Sequence, residues 1–97
     1  MREYEFTVVL QPELNDEDRK ALLERLDGWL RPEGSELPEP TVKHWGQRQL
    51  AYPIKDYTDG YYVYYEIMLE PSALVEIERN IKFNDDILRH LFVRKDE

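Results

Sequence analysis

The sequence predicts an α+β domain: a four-stranded antiparallel sheet with two helices packed on one face. Three observations lead there. Alternating or densely apolar segments of strand length recur along the chain, two stretches with apolar residues three and four apart separate them, and proline, glycine, asparagine and aspartate punctuate the joins. Read in order, these pieces give β-α-β-β-α-β.

Arg2 to Leu10 alternates, with Tyr4, Phe6, Val8 and Leu10 on one face and Glu3, Glu5 and Thr7 on the other, as a half-buried strand requires. Gln11-Pro12-Glu13 breaks the pattern. Asn15 is placed to cap a helix, with Asp16, Glu17 and Asp18 near its positive end. Leu22, Leu26, Trp29 and Leu30 form the buried stripe, widened by Leu23; Gly28 weakens the last turns, and Pro32 with Gly34 ends them. Glu33 to Pro40 is a turn-rich connection whose prolines exclude central pairing.

The second strand is expected from about Thr41 to Tyr52. Gly46 admits a bulge, and Pro53, lacking an N–H, ends the strand or confines it to an edge. Asp56 to Gly60 is expected as a loop with Asp59-Gly60 as its hairpin signal, followed by an aromatic strand from Tyr61 to Leu69. Pro71 and Ser72 open a second helix, in which Leu74, Ile77 and Ile81 recur at helical spacing. Asn84-Asp85-Asp86 turns the chain into a last strand, Ile87 to Val93. This order matches the ferredoxin-like split β-α-β arrangement, which leaves one sheet face open.

Ninety-seven residues, 1–97, suit a single domain whose core needs neither disulfide nor metal. Cysteine is absent, the amino terminus is charged rather than apolar, and no apolar run is long enough to span a bilayer, so a soluble cytoplasmic protein is expected. The net charge is −8, which opposes nucleic acid in general. Its distribution is uneven. Residues 1–40 hold five basic and eleven acidic groups, whereas residues 79–95 hold five basic and two acidic ones.

The open face is apolar. If Tyr61, Val63, Tyr65 and Ile67 meet the helices, Tyr62, Tyr64 and Met68 point outward, joined by Val9, Leu91 and Val93. A face of this kind is a binding surface or an aggregation hazard. Tyr62, Tyr64 and Leu91 are therefore expected to meet a protein partner, tyrosine being apolar in body and polar at its tip.

Enzymatic chemistry is not expected. His44 and His90 stand alone, with His90 on the core side beside Phe92, and no cluster has metal-ligand spacing. Asp16-Glu17-Asp18 lacks the alternating ligands and glycine of a calcium loop. Asp85 and Asp86 read as turn formers, and no glycine-rich phosphate loop occurs. Gln11-Pro12-Glu13-Leu14 lacks the arginine with which the small acylphosphatases of this topology hold phosphate. No cofactor or metal is expected. Base stacking of the RNA-recognition-motif type is also disfavoured: Asp59-Gly60-Tyr61 puts an acid where that motif needs a cation.

Six cations remain: Arg2, Lys43, Arg48, Lys55, Arg89 and Arg94, on strands or near their ends and expected along one side of the sheet. Singly, each reads as a solvated charge. As a group, with Gln47 and Tyr52 beside them, they suit contacts to folded RNA backbone rather than base readout. Lys20 and Arg25, on the acidic helix, are better explained by local ion pairs.

The segment Trp45-Gly46-Gln47-Arg48-Gln49-Leu50-Ala51-Tyr52-Pro53-Ile54 resembles the W-G-x-R-x-L-A-Y-P-I stretch of a bacterial ribosomal family, the sixth protein of the small subunit. Met1-Arg2-Glu3-Tyr4-Glu5-Phe6 and Phe83-Asn84-Asp85-Asp86-Ile87-Leu88-Arg89 resemble two further segments of that family, in the same order. The resemblance covers nearly the whole chain. It implies a structural, non-enzymatic constituent of the small ribosomal subunit. It also implies a heterodimer with the small, basic eighteenth protein and joint binding to the central domain of the small-subunit ribosomal RNA. Two departures are visible: the prolines of residues 33–40 are expected to shorten or bulge the start of the second strand, and many relatives extend past the last strand in a charged tail whose roles are not carried over to this sequence. The alternative is a ligand-binding or self-associating regulatory module on the same topology. That module predicts a homodimer, whereas the ribosomal reading predicts a monomer until its partner is added.

Overall fold

The computed structural model describes residues 1–95. Its elements are β1 (Arg2–Leu10), α1 (Asp16–Leu30), β2 (Thr41–Ile54), β3 (Tyr57–Leu69), a 3-10 turn over Pro71–Ala73, α2 (Leu74–Lys82) and β4 (Ile87–Arg94). The strands form one antiparallel sheet in the order β2-β3-β1-β4. This is the ferredoxin-like α+β arrangement expected from the pattern of elements.

The core lies between one sheet face and the helices. Tyr4, Phe6, Val8 and Leu10 from β1 and Val63, Tyr65, Ile67 and Leu69 from β3 meet Leu22, Leu26 and Leu30 of α1 and Ile77 and Ile81 of α2. Phe6 stacks on Phe92 at 4.2 Å between ring centroids and lies 5.3 Å from Tyr65. The hydroxyl of Tyr65 is held at Asp27 of α1. Burial and that carboxylate push the phenol well above the ordinary tyrosine range, while partial burial raises Asp27.

Local signals set the boundaries. The Asn15 Oδ1 accepts the Asp18 backbone N–H at 2.8 Å, capping α1. Past the end of α1, the Arg31 guanidinium donates to the Leu37 carbonyl at 2.7 Å, tying the proline-rich connection to the end of the helix. Within α1 the ion pair is Arg19–Asp16 at 2.6 Å, with the Arg19 guanidinium 4.2 Å over Tyr61. Lys20 and Arg25 make none among the described residues, contrary to expectation.

The β2–β3 hairpin differs most from the sequence reading. Its turn is the two-residue Lys55-Asp56, with φ of 50° and 68°, not Asp59-Gly60. Two consecutive positive φ angles are the mark of a type I′ turn, whose twist matches its strands. β3 therefore begins at Tyr57, and Asp59 and Gly60 lie inside it. β2 likewise continues past Tyr52 through Pro53 to Ile54, which an edge strand allows because the missing N–H faces no neighbour. Pairing is irregular between Gln49 and Ile54, where Leu50 turns inward and becomes buried.

Candidate nucleic-acid interface

The open face is organised by register. Glu3, Glu5, Thr7 and Val9 of β1 stand opposite Met68, Glu66, Tyr64 and Tyr62 of β3, with Val93, Leu91 and Arg89 of β4 on the other flank. On β2, Lys43 faces Tyr64 and Arg48 faces Gly60. Tyr62, Tyr64 and Leu91 thus share the open face, as their parity predicts. Leu91 is 58% exposed. Val9 shares that face but is buried, because Leu50 of the curled hairpin and Val9 both close over the bare Cα of Gly60.

A bulge adds the residue that parity reasoning missed. Trp45 and Arg48 are three apart and would lie on opposite faces of a regular strand. Gly46 has φ of 84°, and the register shifts between His44 and Gly46, so both side chains reach the open face. Trp45 lies parallel to Tyr64, with centroids 5.1 Å apart and planes 7° apart, and the Arg48 guanidinium sits 5.3 Å from the Trp45 centroid. The Tyr64 hydroxyl donates to Glu5 Oε2 at 2.8 Å, and that bond raises its pKa. Lys95 bridges Glu66 at 3.2 Å and Glu3 at 3.6 Å, and the hydrogen bond to Glu66 raises its pKa. Most acids of the open face are therefore engaged at one end of the sheet.

The opposite end carries Arg48, Lys55 and Arg89. The Arg89 guanidinium donates to the Tyr52 hydroxyl at 3.1 Å and lies 5.8 Å from the ring centroid, tying β4 to the hairpin. Lys55, at the hairpin tip, donates to the Asp85 carbonyl at 3.4 Å and lies 3.7 Å from its carboxylate. Arg48 and Arg89 contact aromatic rings and have no carboxylate within ion-pair distance among the described residues. Tyr52 is 56% exposed.

The six sequence-predicted cations therefore do not form one row. Arg48, Lys55 and Arg89 gather at the hairpin end, and Lys43 stands mid-sheet beside Tyr64. Arg2 and Arg94 occupy the helix-facing rows at the far end, opposite Leu69 and Tyr4. The cause is parity: each is an even number of residues from a core position on its own strand. Both histidines are accounted for by structure. His90 Nε2 meets Glu78 Oε2 at 2.7 Å, and His44 Nδ1 meets the Tyr61 hydroxyl at 3.1 Å. Among the described residues no group of side chains is arranged to hold a metal ion.

Comparison with known proteins agrees with this architecture. The family model described as ribosomal protein S6 matches residues 3–94. The small ribosomal subunit protein bS6 of Caldanaerobacter subterraneus subsp. tengcongensis is 40% identical over 97 residues, spanning all of both chains. The crystal structure of 30S ribosomal protein S6 from Thermotoga maritima superposes with a TM-score of 0.81 at 27% identity, covering 97% of this chain and 87% of that one. With sheet order, motif segments and full-length similarity in agreement, the chain belongs to the ribosomal protein S6 family.

Proposed function

We propose that this S6-family chain acts in the small ribosomal subunit by binding the central domain of its ribosomal RNA together with the small, basic eighteenth protein. It does so as a structural component of a cytoplasmic particle, without catalysis. The observation that carries the reading is the hairpin end of the sheet. There Arg48 and Arg89 are held on Trp45 and Tyr52 rather than neutralised by carboxylates, beside Lys55. Ring-supported guanidinium groups are oriented without losing their charge, which suits phosphate contacts. Lys43, Arg2 and Arg94 are secondary candidates, since the fold sets them apart from this group.

The remainder of the molecule supports a basic partner. A net charge of −8 repels RNA at long range and attracts a cationic protein. Tyr62, Tyr64 and Leu91 supply an apolar surface beside Glu3, Glu5 and Glu66, and we assign the partner contact to that face.

The test is a binding series on a central-domain RNA fragment across salt concentrations, with each protein alone and with the mixture. The chain alone should sediment as a monomer and bind poorly. The pair should bind tightly, with steep salt dependence. Arg48→Gln in the pair should weaken binding and reduce the salt slope by about one counterion. Tight binding by this chain alone at physiological salt would overturn the division of labour.

A further inference from the structure

We infer that Phe83, with Lys82 beside it, is a stacking platform for an unpaired RNA base. It would extend the RNA interface from the hairpin end onto the tip of α2. This inference rests on the RNA-binding reading above and adds to it a residue and a mode of contact.

The position of the ring follows from helix geometry. Ile77 and Ile81 turn the buried side of α2 toward the sheet. Phe83 lies two residues beyond Ile81, about 200° further round a helical path. Its own backbone is still helical, with φ of −81° and ψ of −3°. Phe83 is consequently 81% exposed, more than any other large apolar residue among the described residues. It contributes little to the core, and it borders a shallow groove with Val75, Glu78, Arg79 and Lys82.

The surroundings favour RNA over a second protein. Lys82 is exposed and makes no ion pair among the described residues, whereas Arg79 is bound to Glu76 at 2.8 Å. The nearby carboxylates are engaged: Asp85 by Lys55, Asp86 by the Gln11 amide at 3.3 Å, and Glu78 by His90. A free cation beside an exposed ring fits a base with its phosphate. It repels the basic protein that the acidic remainder of the molecule attracts. The Lys55–Asp85 contact joins this turn to the hairpin tip, so the ring continues the cationic end rather than forming an isolated patch.

The experiment titrates the two-protein complex onto the central-domain fragment, using the wild-type chain, Phe83→Ala, Phe83→Leu, Phe83→Tyr and Lys82→Gln. Complex formation and thermal melting are measured separately for each variant. Phe83→Ala and Phe83→Leu should weaken RNA binding by between about five- and a hundredfold, the range for losing one stacked base. Phe83→Tyr should stay within about twofold, because the π-face is kept. Lys82→Gln should lower the salt slope by about one. Pair formation and melting should not change. Wild-type-like RNA binding by Phe83→Ala overturns the platform alone. So does full affinity in Phe83→Leu, which would show a merely apolar contact. A loss confined to pair formation would assign the ring to a protein surface. Failure of the wild-type pair to bind the fragment would remove the RNA reading and the platform with it.

Discussion

Gly60 shows how one missing side chain shapes the open face of the sheet. A Cβ placed there would lie 2.3 Å from Val9 Cγ1 and 3.3 Å from Leu50 Cδ2, so the missing side chain is what lets the hairpin close over β1. Gly60→Ala should therefore destabilise by about 1–3 kcal/mol, the usual cost of forcing a group into filled space. Gly28→Ala is the matched control, because nothing lies within 4 Å of a Cβ built there and the site is an exposed helix position. It should stabilise by up to about 1 kcal/mol. Urea denaturation of both variants checks the pair of values, and equal effects would show that the Val9–Leu50 closure does not exist in solution. Legibility of the candidate site divides along the same physical line. Outward parity was enough for Tyr62, Tyr64 and Leu91, since β1, β3 and β4 keep a regular period through those residues. Parity failed at Trp45, because one positive-φ glycine changes the period on β2, and nothing in the alternation of that strand says on which side the bulged residue emerges. At Val9 parity gave the correct face but not the burial, which comes with Leu50, a residue distant in sequence, closing over the same Gly60.

At the scale of elements, periodicity and punctuation carried most of the fold. The Asn15 cap and the apolar stripe Leu22–Leu26–Leu30 appear where their local chemistry places them, while Pro71 and Ser72 open a 3-10 turn that leads into α2 at Leu74 rather than α2 itself. The hairpin turn did not. Asp59-Gly60 has the stronger turn composition, yet the chain turns at Lys55-Asp56, because burying Gly60 under Val9 and Leu50 requires that glycine inside a strand. Tertiary closure outweighed local preference, and two L-residues occupy the left-handed region as a result. That strain is measurable. Asp56, at φ of 68°, should prefer glycine, so Asp56→Gly is expected to raise stability by about 0.5–1 kcal/mol while leaving the Lys55–Asp85 contact in place. Guanidinium melts of the variant check this. A destabilisation of similar size would mean that the turn conformation at Asp56 differs from the one described.

At the scale of the whole molecule, charge is sorted unevenly along the chain, and the proposed division between RNA and a basic protein partner rests on that sorting. The acidic groups concentrate in residues 1–40, above all on α1, while Arg48, Lys55 and Arg89 collect at the hairpin end of the sheet. Fields of this kind act mainly on encounter rates, since exposed charges separated from a partner by more than a Debye length are screened by salt. Glu13, Glu24 and Glu33 are exposed and form no ion pair among the described residues, so changing all three to Gln removes field without removing structure. The triple variant should associate with the proposed partner, the basic eighteenth protein, several-fold more slowly at low salt, with its melting curve and its dissociation rate little changed. At high salt the two association rates should converge, because screening has already abolished what the glutamates supplied. Stopped-flow mixing across a salt series measures both limits. An association rate equal to wild type at low salt would show that the acidic half of the chain does not steer this partner. The net charge would then serve solubility rather than assembly.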